Sequence, residues 1–153
     1  MELNSVRNSL IILILVLSLI GCEQKNGTGT GKGIIPEVPP EYRDKHMPQG
    51  GWTDLSAIAI GRQIYEGKKI FGINCGSCHG IDGIPLISGA TDFRNKSLMD
   101  QWSDSYWFWR ISEGIPGTAM TAWKGRLSEE AIWSIIAYTH TFSHQWKAED
   151  HIH

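Results

Sequence analysis

Residues 74–80 read NCGSCHG, so two thiols stand three positions apart and an imidazole directly follows the second. Few chemistries use Cys75, Cys78 and His79 at this spacing. A structural zinc site needs four donors, and apart from Cys22 these are the only cysteines in the chain. A redox dithiol belongs to a βαβ setting, for which the flanking sequence offers no strand pattern. A plain disulfide closes too short a loop to constrain much chain. C-x-x-C-H is also the pattern for covalent attachment of a c-type haem. Two thiols on one helical turn reach the two vinyl groups of a porphyrin, and the adjacent histidine projects toward the iron. One covalently held haem c is therefore the expected cofactor.

Such a turn must be positioned by elements on both sides. Asp54–Asn74 has helical spacing, with Thr53 or Asp54 as cap and Ile58, Ile64, Tyr65, Ile70 and Phe71 as apolar positions. Glycines 61, 67 and 72 weaken it as an isolated helix by about 1 kcal/mol each. A shorter helix is expected over Ser105–Glu113, with Asp104 at its start and Gly114 as its stop. The clearest pattern is Glu129–Ser143: Ser128 caps it, Glu129 and Glu130 favour the positive end of the dipole, and Ile132, Ile135, Ile136 and Tyr138 are apolar. Turn residues crowd 80–101, and no run alternates as a strand. The expected fold is all-α, about three to five helices with long loops. A domain this small buries a modest core, so a cofactor is expected to fill its centre.

From about Ala57 to Phe142 the chain resembles a class I monohaem cytochrome c domain in its bacterial lipoprotein form. The resemblance rests on the haem motif, on Gly67, Phe71 and Cys75 at four-residue steps, and on the Gly80–Leu86 turn with its proline. It implies that Gly67 lets the first helix cross the last closely, that Phe71 packs in the crossing, and that Ile135 and Tyr138 are partners there. It also implies that the Pro85 carbonyl accepts the hydrogen bond from His79 Nδ1, fixing the tautomer.

A haem held by His79 on one face leaves the other axial position to Met47, Met99, Met120, His46, His140 or His144. His46 and Met47 precede the domain, and Met99 lies in a polar stretch. His140 and His144, four apart, suit a metal pair or the solvent-facing side of the last helix. Met120 stands in EGIPGTAMTAW, where Gly114, Pro116, Gly117, Thr118 and Ala119 let backbone run close over a porphyrin face. This stretch resembles the methionine loop of bacterial cytochromes, with Thr121 where proline often follows. Thioether ligation favours ferrous iron and raises the potential. Iron with both axial positions filled points to one-electron transfer rather than catalysis.

The N-terminus has a different character. Arg7 precedes the apolar stretch 10–20, which as a helix would span about 16 Å of a hydrocarbon core of roughly 30 Å. This fits a signal peptide better than a membrane span. Leu19-Ile20-Gly21-Cys22 resembles a lipobox, which implies lipidation at Cys22. The expected organisation is a signal peptide at 1–21, a flexible tether at 22–51 rich in Gly and Pro, a cytochrome c domain at 52–146 and a polar tail at 147–153. The protein is then exported and membrane-anchored, facing the periplasm or the outer side of the cell membrane.

The formal charge of the 153-residue chain is −2, which argues against nucleic acid as a partner. Across 52–146, eight Lys and Arg face nine Asp and Glu, so no lysine ring is expected. Trp102, Trp107 and Trp109 line the haem pocket and core, or dock a partner. Trp123 and Arg110 are candidates to approach a haem propionate. The expected function is a membrane-tethered electron carrier between respiratory complexes. Its alternatives are a fixed haem subunit of one such complex and a haem enzyme or gas sensor with a labile sixth ligand.

Overall fold

The computed structural model describes residues 36–144. The expected signal peptide, Cys22, the first part of the tether and the 147–153 tail lie outside the described residues. Among the described residues the chain is helical: α1 Leu55–Tyr65, α2 Gly76–His79, α3 Lys96–Met99, α4 Asp104–Glu113 and α5 Glu129–His140, with 3-10 turns at Pro40–Tyr42 and Gly51–Thr53. The nearest approach to a strand there is an isolated bridge between Lys124 and Leu127.

Local capping explains where the long helices begin. Asp54 accepts from the N–H groups of Ser56 and Ala57, Ser103 from Tyr106, and Ser128 from Ala131. Gly114 stops α4 at the expected place. The first helix, however, ends at Tyr65 rather than running to Asn74. Gly67 adopts φ +75° and Gly72 φ +74°, left-handed values that end a helix. The Lys68 N–H then turns back to Gln63 O at 2.8 Å.

The core is built where α1 crosses α5. Gly61 is the residue that permits the approach: a Cβ there would lie 1.9 Å from the backbone oxygen of Ser134. One turn on, Tyr65 is fully buried, with its ring 5.3 Å from Tyr138 and 5.9 Å from Phe142. The glycine and aromatic of the crossing are therefore Gly61 and Tyr65, not Gly67 and Phe71. The helix breaks before Gly67, and Phe71 points away from the core. Ile58 and Ile64 of α1 and Ile132, Ile135 and Ile136 of α5 are buried, each contributing about 1.5–3 kcal/mol relative to exposure. Helix α4 joins through Phe108, whose ring lies 4.6 Å from Trp133.

Residues 36–51 differ from the flexible tether expected there. Tyr42 is buried and donates to Glu113, Lys45 pairs with Glu129, and the Met47 N–H donates to Asp104 at 2.7 Å. Met47 also packs against the core. Gly and Pro content describes the backbone's freedom, but three side-chain anchors hold this stretch as a strap across α4 and α5.

Candidate functional site

One helical turn presents all three residues of the motif. The Cys78 and His79 N–H groups donate to Cys75 O at 3.1 and 3.0 Å, and the Asn74 side chain accepts from Ser77 N at 3.0 Å. Cys75 and Cys78 are half-buried free thiols. The turn is tied to the α1–α5 crossing by Tyr65, whose hydroxyl donates to Gly80 O at 2.7 Å. Gly80 has φ +74°, and a Cβ there would sit 2.0 Å from Ile84 O, so the exit from the turn needs glycine. The loop beyond it is pinned by Leu86 N to Cys78 O at 2.8 Å and Phe93 N to Gly83 O at 3.1 Å.

That loop orients His79. Its Nδ1 lies 3.3 Å from Thr91 O, and its ring stacks on Phe93 at 4.8 Å. The backbone acceptor is thus Thr91, not Pro85, because the loop folds back and brings its far end beside the imidazole. A carbonyl at Nδ1 leaves the lone pair on Nε2. Burial lowers the His79 pKa, opposed by the Thr91 carbonyl, so the ring is a neutral donor near pH 7. Burial pushes the Cys75 thiol up to about 11. Thiol–disulfide enzymes depress this value to make a thiolate, so the turn is poorly suited to that chemistry. Among the described residues no group of three or more His, Cys, Asp or Glu side chains is placed to hold a metal ion.

Met120 sits half-buried at the end of a loop that closes on itself. Ile115 N donates to Met120 O at 2.9 Å, and Met120 N donates to Thr118 Oγ1 at 3.1 Å. Gly114 has φ +69°, and a Cβ there would lie 2.3 Å from Met120 O. Beyond the loop, Trp123 N and Lys124 N both bond Ser112 O at 3.0 Å, clamping it to the end of α4.

The other soft candidates occupy different surroundings. Met99 is fully buried in the core despite its polar neighbours, because Asn95 caps α3 and turns it inward. His140 and His144 do not line a solvent-facing side; both are buried. His140 lies 4.5 Å from the Trp52 ring, and His144 Nε2 meets Asp100 at 2.7 Å. Helix spacing showed that the two share a face but not that the 51–53 turn and α3 cover it.

Two buried donors bear on whether the residues present suit a haem. Trp107 Nε1 and Arg110 Nε are buried without a hydrogen-bond partner in the structure. Trp107 packs edge-on against Phe93, the ring that stacks on His79. The unspent Trp107 donor, one ring away from the imidazole, suits an anionic edge such as a propionate, while the Arg110 guanidinium lies over the Trp109 ring at 3.7 Å. Of the two residues the sequence offers for this place, Arg110 is one of these donors, and Trp123 lies half-buried with the Arg126 guanidinium 5.2 Å from its ring. Only burial distinguishes Trp107 from its neighbours.

Residues 62–138, half of the chain, match the family model described as cytochrome C oxidase, cbb3-type, subunit III. The chain is 33% identical over 89 residues to cytochrome c6 of Synechococcus sp. (strain ATCC 27167 / PCC 6312), covering 56% of this chain and 76% of that protein. The chain belongs to the c-type cytochromes. It is also 30% identical over 89 residues to a cytochrome c6-like protein of Nostoc sp. (strain PCC 7120 / SAG 25.82 / UTEX 2576), covering 56% of this cytochrome and 77% of that protein. Cytochrome c6 of Thermostichus vulcanus is 28% identical over 90 residues, with 57% and 77% covered. No solved structure matches at comparable significance. The cytochrome accordingly has the expected all-α fold, binds haem c covalently, and transfers electrons to and from redox protein partners rather than acting as an enzyme. No helix among the described residues is long and apolar enough to cross a membrane.

Proposed function

We propose that Cys75 and Cys78 form the thioether bonds, that His79 and Met120 are the axial ligands, and that lipid at Cys22 tethers the cytochrome to a membrane outside the cytoplasm. The haem supplies a one-electron ferric/ferrous couple. The protein's part is to hold its ligands still and exclude others. The observation that carries this reading is the single turn that presents two free thiols beside an imidazole held at Nδ1 by Thr91. Thr91 orients His79, and Tyr65 anchors the turn's exit through Gly80. Trp107 and Arg110 would receive the propionate edge. The closed Gly114–Met120 loop supports a fixed position for the thioether sulfur, because its ends are clamped to α4. A ligand set that stays in place in both oxidation states keeps the reorganisation cost of electron transfer small.

The test compares ferric absorbance spectra of the parent and Met120→Ala. The weak long-wavelength band of sulfur ligation is expected in the parent and lost in the variant. Its persistence in Met120→Ala would sink the axial assignment. For the anchor, Cys22→Ser is expected to release the protein from membranes, and unchanged retention would refute lipidation there.

A second reading is a fixed haem subunit of a larger complex, favoured by the match to an oxidase-subunit family model. Sizing the native species after mild detergent extraction separates the two, since a free carrier elutes near its own mass of 17.1 kDa less the signal peptide.

A further inference from the structure

Phe71 is 99% exposed, although the residues around it are held inward. Ile73 is buried and Ile70 packs against the core. The loop between α1 and α2 is fastened at both ends, by Lys68 N to Gln63 O at 2.8 Å and by Ile73 N to Ile70 O at 3.2 Å. At its tip, Arg126 Nη2 donates to Phe71 O at 3.2 Å. Gly72, at φ +74°, makes the turn beside this bond, and a Cβ on it would lie 3.0 Å from that same nitrogen. The ring is thus presented outward by a braced backbone.

Charge concentrates around it. Lys69 and Lys68 stand two and three positions before Phe71 in the braced loop, Arg126 is bonded to its carbonyl, and the neighbouring carboxylate, Glu66, pairs with Lys68 and with Arg62 of α1. Lys69 and Arg126 enter no ion pair among the described residues. The near balance of charge over 52–146 therefore conceals a local cationic cluster. Its place also matters. The loop runs straight into Asn74-Cys75, and Arg126 follows the Met120 loop, its guanidinium over Trp123 at 5.2 Å. The patch joins the two chain segments that lead to opposite faces of the proposed haem site.

We propose that Phe71 and its surrounding cations form the docking surface for a redox protein whose own surface is acidic around an apolar recess. The proposal rests on the haem reading of Cys75, Cys78 and His79. A basic rim steers an acidic partner and an apolar centre holds it, which a lipid surface could also satisfy. The direct run into Cys75 favours a protein that exchanges electrons there.

The probe is oxidised plastocyanin, an acidic copper protein, mixed in stopped flow with the full-length haem-loaded cytochrome in its ferrous form. One electron passes, ferrous iron becoming ferric as Cu(II) becomes Cu(I). The rate constant is expected to fall with rising ionic strength, and Phe71→Ala and Lys69→Gln are each expected to slow it about tenfold at low salt. Oxidation of Phe71→Ala by the small molecule ferrocenium, and its midpoint potential, should match the parent. A salt-independent rate, or variants reacting with plastocyanin like the parent, would overturn the proposal. So would loss of binding to phosphatidylglycerol vesicles in Phe71→Ala with an unchanged plastocyanin rate, which would assign the patch to lipid. A pyridine haemochrome assay precedes the kinetics; a chain without covalent haem would overturn the underlying site reading, and the docking proposal with it.

Discussion

The turn that carries Cys75, Cys78 and His79 and the loop that carries Met120 are built on different physical terms. The turn is compact: its three residues lie within five positions, and it is braced from α1 by Tyr65 and from the following loop by Thr91 and Phe93. The Met120 loop touches the fold chiefly through its ends, and most of its inner hydrogen bonds are its own. Covalent attachment needs two thiols at a set spacing, which local helix geometry supplies. The sixth ligand proposed here, Met120, needs only one sulfur at the right place, and the loop's place is set by where α4 ends. One side of the site is therefore specified by neighbours in sequence and the other by neighbours in space.

Breaking the turn should have the largest effect. Cys78→Ala removes one thioether, and a large loss of covalently bound haem is expected in a denaturing haem stain, whereas Met120→Ala should keep its haem and shift the potential downward in a redox titration. Equal haem loss in both would erase the contrast. The braces come next. Gly61→Ala forces a methyl against the Ser134 carbonyl and should cost about 1–3 kcal/mol in chemical denaturation, since neither backbone can give way easily. The same change at Gly125, where a Cβ meets nothing within 4 Å but φ is +83°, should cost only about 1 kcal/mol of backbone strain. Tyr65→Phe leaves Gly80 O without its buried donor and should cost about 1–2 kcal/mol, with the thioether bonds intact.

The smallest effect concerns the strap. Lys124 and Tyr42 hold the Glu113 carboxyl below its ordinary value of 4.5. A carboxylate depressed in the folded state stabilises fully above its unfolded pKa and loses that contribution as pH falls through the folded value. Glu113→Gln should therefore destabilise by about 0.5 kcal/mol near pH 7, and the gap to the parent should close as pH drops below 4.5. A constant gap across that range would show that the strap is held by Tyr42 packing alone.

Much of this was legible in the chain. Ser128 marked the start of α5, Asp104 fell one residue inside the true Ser103 cap of α4, and the glycine after Glu113 marked a stop, because capping is decided by residues within one turn. The motif needed no tertiary information for the same reason. The α1–α5 crossing was misplaced because two glycine–aromatic pairs, Gly61 with Tyr65 and Gly67 with Phe71, share the same four-residue step. Periodicity cannot choose between them; the left-handed turn at Gly67 does. Burial of His140, His144 and Met99 was equally invisible: a polar stretch hides which side chain the short α3 turns inward, and helix spacing does not show that distant segments cover the two histidines.

What the sequence determined by itself was the chemistry on offer: two thiols and an imidazole on one turn, a methionine among small residues, and helices with written starts and stops. These depend on contacts a few residues apart, where residue type and spacing suffice. Tertiary structure alone decided that Thr91 orients His79, that Gly61 is the crossing point, that residues 36–51 strap the domain, and that Phe71 is left outside. Each depends on which distant surfaces meet, and that is settled by packing the whole chain at once.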